Sequence, residues 1–219
     1  MALRMPKILY KSPCTTRLNH LPFKRLKMKT LIAILLDESG SMGVRRDDTI
    51  GGYNTFIEDQ RKLKEEDTRL YLIKFNTRVR VVEEGIPIDL ATKLSNETYK
   101  PNGGTALYDA VREGICLVEK DKTSQHRVVF VIMTDGEENS SRSTSKEWVR
   151  DMIQSRERQG DWTFVYIGED PSGWKREISS RSNAMSFDVT DDGGNFSYAS
   201  EACTKVRSSQ LSSLDKIFE

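Results

Sequence analysis

Short, fully apolar segments alternate with segments of helical periodicity from residue 30 onward, and this alternation limits the possible folds more than any other feature. The apolar segments 31–36, 128–133 and 163–167 have the length and composition of buried strands. Elsewhere apolar residues recur every three or four positions, in segments that begin near Ile50, Leu107, Trp148 and Phe196. This pattern predicts an α/β fold, with a doubly wound, mostly parallel, Rossmann-like sheet and helices on both faces.

The remaining segments refine this prediction. Segments 70–75 and 78–82 are separated by two polar residues, which is typical of a hairpin, so we expect one antiparallel strand at an edge of the sheet. Residues 84–104 are mostly polar and contain prolines and a glycine pair, which predicts a long loop with at most a short helical turn. A weaker last strand at 185–189 and a final helix at 196–218 complete the predicted elements.

Composition excludes several classes of protein. The chain has 219 residues, of which 37% are hydrophobic and 31% charged, so a collagenous or wholly disordered chain is excluded and one domain is expected. The longest aliphatic run has six residues, whereas a membrane-spanning helix needs about 20, so we predict no membrane segment. The tryptophans Trp148 and Trp174 are interpreted as packing residues rather than as ligand platforms.

The numbers of cysteines and histidines limit which covalent and metal sites the chain can form. The three cysteines form neither a CxxC pair nor a disulfide framework, which favours a reducing compartment, and we expect a cytoplasmic protein. Cys116 falls within a helical apolar pattern, so we expect it to be a buried structural thiol. With only two histidines, His20 and His126, the chain has little with which to build a zinc site or a histidine-based triad.

The first 29 residues carry eight basic and no acidic side chains, although the whole chain has a formal charge of +1; the rest therefore carries −7. A basic segment on an acidic body is typical of a nucleic-acid-binding arm, a targeting peptide, or sequence upstream of a folded domain. We favour the last interpretation, because strand and helix patterning begins only at Met28. Residues 1–27 are thus expected to be a disordered extension or upstream read-through, and residues 28–219 one domain.

Three polar loops are predicted to meet at one edge of the sheet. Ligands of doubly wound sheets bind beyond the carboxyl ends of the strands, where the strand order reverses. Loops 37–41 and 134–139 each follow a strand, and loop 101–105 precedes a helix. Together they offer two carboxylates and three hydroxyls, from Asp37, Ser39, Ser41, Thr105 and Asp135. An oxygen-only donor set suits Mg²⁺, Mn²⁺ or Ca²⁺, and neutral hydroxyls leave such an ion able to accept an anionic ligand.

This arrangement resembles the metal-ion-dependent adhesion site (MIDAS) of von Willebrand factor type A (VWA) domains. The resemblance lies in three separated motifs, DxSxS, a lone threonine and TDG, which contain Asp37, Ser39, Ser41, Thr105 and Asp135. It covers residues 28–219, and segments 49–57 and 104–109 look most like small stand-alone members from bacteria and their phages. The resemblance implies a six-stranded VWA fold with the metal, Mg²⁺ in the first place, at its top.

The resemblance also implies a function and a role for each residue. It implies a non-enzymatic binding module, and we favour a cytoplasmic adaptor. The serines and the threonine would bind the ion directly or through water, and the aspartates directly or through their own waters. An Asp or Glu from a partner protein completes the shell. Of the neighbours, Glu38 is expected to point away, Glu137 and Glu138 to acidify the rim, and Asp109 either to orient the site or to face solvent. The partner and the oligomeric state stay open.

Structural and functional alternatives accompany this hypothesis. Each serine or aspartate alone could be a turn or helix-cap residue, although capping does not explain why all five lie at one edge. The pair Arg45-Arg46 is either a solvated face or an attraction for an acidic partner. The same metal could serve a phosphoester hydrolase, although the motifs provide no clear general base or nucleophile. The first 29 residues could bind nucleic acid in a salt-sensitive manner.

Overall fold

A computed structural model describes residues 28–63, 67–168, 170–179, 183–186 and 194–208, so the interpretation of residues 1–27 lies outside the described residues. The strands are β1 (Lys29–Asp37), β2 (Thr68–Phe75), β3 (Val79–Pro87), β4 (His126–Met133), β5 (Trp162–Gly168) and β6 (Asn183–Ser186). The helices are α1 (Arg46–Lys62), α2 (Leu107–Asp121), α3 (Lys146–Gln159), α4 (Pro171–Glu177) and α5 (Gly194–Ser208). Short 3₁₀ helices span Ser41–Arg45 and Ile88–Leu90.

The six described strands form one sheet in the order β3-β2-β1-β4-β5-β6. All neighbours are parallel except β2 and β3, so the predicted mostly parallel sheet with one antiparallel edge strand is confirmed. The chain passes from β1 to β2 on one side and later returns to β4 on the other, so the strand order reverses at β1. Asp37 is in register with Phe75 of β2, and Leu36 with Met133 of β4, which brings three carboxyl ends to one edge.

Helices cover both faces of the sheet. Because successive side chains of a strand point to opposite faces, Ile32, Ile34 and Leu36 of β1 pack with α1 and α5. Leu31, Ala33 and Leu35 pack on the opposite face with α2 and α3. Burial on both faces explains why β1 is apolar from Leu31 to Leu36.

Several boundaries differ from the sequence predictions. The hairpin turn has three residues instead of the predicted two, since β2 ends at Phe75 and β3 begins at Val79. β3 ends at Pro87 rather than at residue 82, because its pairing with β2 continues through a shift in register. The seven-residue helix α4 was not predicted; it is too short to show a helical period, although Asp170 caps it and Pro171 begins it. Its Trp174 is buried and stacks on Tyr166, as expected for a packing residue.

The predictions for the last strand and helix overlap only partly with the described residues. β6 spans Asn183–Ser186, so only the start of the predicted 185–189 strand falls within it, and residues 187–189 lie outside the described residues. α5 is described to Ser208, and the predicted continuation to 218 also lies outside them. No helix in the described segments is long and apolar enough to cross a bilayer.

The prediction that Cys116 is a buried thiol is wrong. Cys116 is exposed on α2, whereas Cys203 on α5 is buried in the core. The apolar stripe of α2 passes through Ile115, Leu117 and Val118 and leaves position 116 on the solvent side. Membership in an apolar segment therefore did not imply a place on its buried face.

Candidate metal centre

Asp37 is the last residue of β1, and its side chain is held from two directions at the sheet edge. One carboxylate oxygen, Oδ1, accepts a hydrogen bond from the Ser39 backbone N–H at 2.7 Å, and the other accepts one from Thr134 Oγ1 at 2.6 Å. The residue is completely buried. Burial raises the pKa of the Asp37 carboxyl from 3.8 to about 6; these hydrogen bonds oppose the rise, and nearby Asp135 adds to it.

The three hydroxyls converge beside the second carboxylate. Ser39 Oγ lies 3.1 Å from Ser41 Oγ, which donates a 2.6 Å hydrogen bond to Asp135 Oδ1. A methyl carbon built on Gly136 would stand 2.8 Å from Thr105 Oγ1, 3.4 Å from Ser41 Oγ and 3.6 Å from Ser39 Oγ. The three hydroxyls therefore surround one small space, which remains open because residue 136 has no side chain.

The structure thus brings all five sequence-predicted residues to one end of the sheet, from three loops. Two carboxylates and three hydroxyls give a donor set made only of oxygens, which fits Mg²⁺, Mn²⁺ or Ca²⁺. Two aspartates in a largely buried site would also be stabilised by a divalent cation. Across the described residues, no cluster of three or more His, Cys, Asp or Glu could hold a metal.

Glu38 points away from this space, as expected, and has a further role. Its carboxylate pairs with Arg80 at 3.0 Å and lies 3.7 Å from the buried ammonium of Lys74. It also accepts a 2.8 Å hydrogen bond from the Lys100 backbone N–H. Backbone hydrogen bonds join the same two loops, including one from the Asn102 N–H to the Glu38 carbonyl. Glu38 thereby fixes loop 37–41 against the loop that leads to the threonine.

The backbone of Thr105 is fixed by the loop that follows β4. Its N–H donates to Asn139 Oδ1 at 2.9 Å, and its carbonyl accepts from the N–H groups of Asn139 and Ser140 at 3.0 and 3.1 Å. The next residue, Ala106, donates to the Asn76 carbonyl in the β2–β3 turn at 2.7 Å. Thr105 is 2% exposed, so its side chain is held between two loops.

Glu138 does more than acidify the rim, which corrects the sequence interpretation. No side chain at the start of α2 caps the helix, and Glu138 accepts the Tyr108 N–H from the neighbouring loop at 2.9 Å. Its other oxygen accepts the N–H groups of Ser140 and Ser141 at 2.8 and 2.7 Å. Glu138 therefore joins the start of α2, two residues after Thr105, to the loop that follows β4.

Asp109 also holds this loop. Its two oxygens accept the N–H groups of Arg142 and Ser143 at 2.8 and 3.1 Å. Although partial burial opposes the change, these hydrogen bonds lower the pKa of Asp109. The sequence left open whether Asp109 orients the site from behind the ligands or faces solvent. The structure shows that Asp109 anchors residues 142–143 to α2, so it is not a free solvent-facing side chain.

Two contacts of the candidate ligands, made by Tyr99 and Arg45, were not predicted. Tyr99 is fully buried, and its hydroxyl donates a 2.6 Å hydrogen bond to the Asp37 carbonyl oxygen. Arg45 is not part of a solvated face, because its side chain is 17% exposed and its Nε lies 3.9 Å from Asp135 Oδ2. Arg46 is likewise engaged, since it donates to backbone carbonyls, among them that of Tyr99. No local sequence signal marks these contacts, because each joins residues that are distant in the chain.

Comparisons with known proteins agree with this architecture. The sequence model of one family, the von Willebrand factor type A domain, matches residues 32–195. A comparison with curated proteins finds no match.

Many solved structures share the fold. A von Willebrand factor type A protein from Catenulispora acidiphila has a TM-score of 0.59 at 16% identity, over 84% of this chain and 44% of that one. The PilB minor pilin from Streptococcus sanguinis has a TM-score of 0.60 at 14% identity, over 83% and 62%. Proximal thread matrix protein 1 from the mussel byssus, with a zinc-occupied MIDAS motif, has a TM-score of 0.56 at 18% identity, over 83% and 46%.

These identities are low, so the likeness to the solved structures shows the fold alone. This chain also spans less than two thirds of the length of each of the three proteins. The family match shows more than the fold, because it covers more than half of the sequence. It includes most of β1, all of β4 and the loops that follow them. The chain therefore belongs to the von Willebrand factor type A domain family.

Proposed function

We propose that this chain is a divalent-metal-dependent protein-binding module, in which a carboxylate of a partner protein completes the shell of an ion held by Asp37, Ser39, Ser41, Thr105 and Asp135. The observation that carries the proposal is the convergence of three hydroxyls beside a carboxylate around the space that Gly136 leaves open. Membership in the family supports it, because VWA domains are interaction modules that typically use a MIDAS metal.

The charges of the site favour an ion that can still accept an anionic ligand. Asp37 and Asp135 together balance the charge of a divalent cation, and the hydroxyls of Ser39, Ser41 and Thr105 offer lone pairs without adding negative charge. When bound, such an ion supplies a Lewis-acidic centre for one more anionic oxygen. We propose Mg²⁺ as this ion, with Mn²⁺ and Ca²⁺ as the alternatives that an all-oxygen site also accepts.

Access to the site supports a partner that approaches from one side. Asp37, Ser39, Thr105 and Asp135 are each 7% exposed or less, whereas Ser41 is exposed. The donor set therefore opens to solvent beside Ser41 and is closed elsewhere by protein. A carboxylate on a protruding side chain fits this access, since it brings a negative charge and needs little space.

Calorimetric titration of Mg²⁺, Mn²⁺ and Ca²⁺ into chelator-stripped protein tests the metal part of the proposal. We expect one saturable site in the wild type and its loss in Asp135→Asn. The matched control is Glu137→Gln, which removes one exposed charge from the same loop but no candidate ligand. Equal binding to wild type and Asp135→Asn would contradict the proposed ligand set.

The metal-dependent phosphoester hydrolase is the weaker alternative, because no specific observation favours it. His126, the one histidine within the described residues, begins β4 and so lies at the opposite end of the strands. The two carboxylates of the site are both needed as ligands, which leaves neither as a general base. We therefore propose a non-enzymatic role. Nucleic-acid binding through the first 29 residues, a cytoplasmic location and a bacterial or phage source stay predictions from the sequence.

A further inference from the structure

The rim of the candidate metal centre carries an apolar side chain that nothing in the described chain covers. Val44 belongs to the 3₁₀ helix Ser41–Arg45 that follows the metal loop, and it is 90% exposed. It is the most exposed large hydrophobic residue in the described segments; Leu90 and Val82 follow at 71% and 42%. Its neighbours Ser41 and Gly43 are also exposed, so Val44 stands on an open surface beside the ligands.

Two exposed cations lie on the segments that hold the metal loop and Thr105. Arg78 lies in the β2–β3 turn, whose residues Asn76 and Thr77 bond to the backbone around Thr105. The backbone of Lys100 is bonded to Glu38, next to Ser39. Both Arg78 and Lys100 are exposed, and neither side chain forms an ion pair or a hydrogen bond to any described residue.

The other arginines of the rim differ from these two cations, because they already have partners. Arg45 lies beside Asp135, Arg46 donates to backbone carbonyls, and Arg80 pairs with Glu38. Unlike these arginines, Arg78 and Lys100 carry charges that are available to a ligand of the rim.

Val44 and the β2–β3 turn, which carries Arg78, lie on different sides of the metal centre. The strand order places the β2–β3 turn on one side of β1 and β4 on the other, and Arg45, adjacent to Val44, reaches the Asp135 loop after β4. Neighbouring strands lie about 4.8 Å apart, so the ends of β2 and β4 are about 10 Å apart, a span covered by roughly three residues of extended chain. Exposed Asp47 and Glu137 lie on the Val44 side, where they disfavour a second acid.

We propose that the partner presents an extended acidic segment across this edge: one carboxylate at the metal, an apolar side chain on Val44, and a second acid towards Arg78 and Lys100. The inference rests on the proposed function and adds to it the chemistry and direction of the partner. A metal-bound carboxylate alone would give little specificity, because many proteins carry exposed acids. Contacts on both sides of the ion would select a short sequence rather than a single residue type.

The first test is a selection from a phage-displayed library of random peptides on the full chain, once with Mg²⁺ and once with chelator. We expect metal-dependent peptides to share an acid, an apolar residue within about three positions on one side of it, and a second acid on the other. Failure to enrich any metal-dependent peptide would contradict the proposed function itself. Metal-dependent peptides with acids but no common apolar residue would overturn only the proposed acidic segment.

The second test measures the affinity of one selected peptide by fluorescence anisotropy in Mg²⁺. Val44→Ser is expected to weaken binding about tenfold through loss of apolar burial, and Val82→Ser on the edge strand should leave it unchanged. The double variant Arg78→Gln/Lys100→Gln should also weaken binding about tenfold at low salt and much less at high salt. Arg158→Gln/Lys175→Gln, which removes two exposed cations at the ends of α3 and α4, is the matched charge control.

Metal titration of each variant distinguishes a loss of peptide binding at the rim from a loss of metal binding at the site. Val44→Ser and the double variant should bind Mg²⁺ as the wild type does, because none of these residues is a candidate ligand. Unchanged peptide affinity in Val44→Ser, with metal binding intact, would refute the apolar contact. Equal losses in Val44→Ser and Val82→Ser would also refute it, because the effect would then not depend on the rim.

Discussion

The burial of Asp37 predicts that the substitution Asp37→Asn stabilises the metal-free protein at neutral pH. In the folded chain the pKa of this carboxyl is about 6, against an ordinary value of 3.8. The difference corresponds to a cost of about 3 kcal/mol for carrying the charged form in the folded state above pH 6. Asparagine removes that charge and keeps the shape. Thr134 Oγ1 can accept from the new amide while donating to the Gly136 carbonyl, 3.1 Å away.

The sign of the pH dependence follows from the raised pKa. The folded state binds this proton more tightly than the unfolded state, so the stability that Asp37 contributes is present below about pH 4 and is lost as the pH rises through about 6. The advantage of Asp37→Asn should therefore be only about 0.6 kcal/mol at pH 4 and about 3 kcal/mol at pH 7. For a chain of this size, that is roughly 6–12 °C in melting temperature.

Thermal unfolding in chelator, followed by circular dichroism from pH 4 to pH 7, measures this difference. Glu137→Gln is the control, because it removes an exposed charge from the same site without relieving burial. In saturating Mg²⁺ the order should reverse, since only the wild type gains stability from the ion. A metal-free variant that is less stable than the wild type at pH 7, or an advantage that does not grow with pH, would refute this explanation of Asp37.

Three further predictions concern residues around the site. Gly136→Ala should abolish Mg²⁺ binding without unfolding the chain, because the new methyl would stand 2.8 Å from Thr105 Oγ1; calorimetry and circular dichroism together check this. Arg45→Gln should tighten Mg²⁺ binding several-fold in calorimetry, because a cation 3.9 Å from Asp135 opposes a second cation. Glu138→Gln should cost about 1–2 kcal/mol in chemical unfolding, because it weakens an acceptor at the start of α2.

Matched substitutions isolate the effects on metal binding. Gly43→Ala adds a methyl group where no atom lies within 4 Å, close to the metal loop, and should leave metal binding intact. Arg46→Gln removes the adjacent arginine, which donates to the Tyr99 and Asn96 carbonyls, and should not tighten binding. Loss of binding in Gly43→Ala, or equal tightening by both arginine variants, would show that the effects do not come from the proposed contacts.

The sheet and the position of the candidate site could be predicted because both depend on local patterns. β1 is buried on both faces and is therefore apolar at six consecutive positions, 31–36, which marks it as a central strand. Asp37 ends β1 and Asp135 closely follows β4, so the rule for parallel sheets brings them to one edge. The position of Thr105 at the same edge came from the family resemblance and from its place before α2.

The contacts that hold the site together could not be predicted, because they join residues distant in sequence. Glu138 caps α2 across 30 positions, and Tyr99 reaches the Asp37 carbonyl across 62. One hint of the Glu138 contact was present in the sequence. Ala106, which precedes α2, cannot cap the helix, so the free N–H groups at the helix start need acceptors from another part of the chain. The burial of Cys116 was also predicted wrongly, because an apolar segment does not specify which of its residues face the core.

Anomalous diffraction from crystals of the full chain grown with Mn²⁺ tests the proposed metal site most directly, because it locates the ion without reference to any partner. We expect one strong peak at the carboxyl edge of the sheet, with a position left for an outside ligand, bounded by the oxygens of Asp37, Ser39, Ser41, Thr105 and Asp135. A fully formed edge without a peak, or an ion bound elsewhere, would contradict the proposed site.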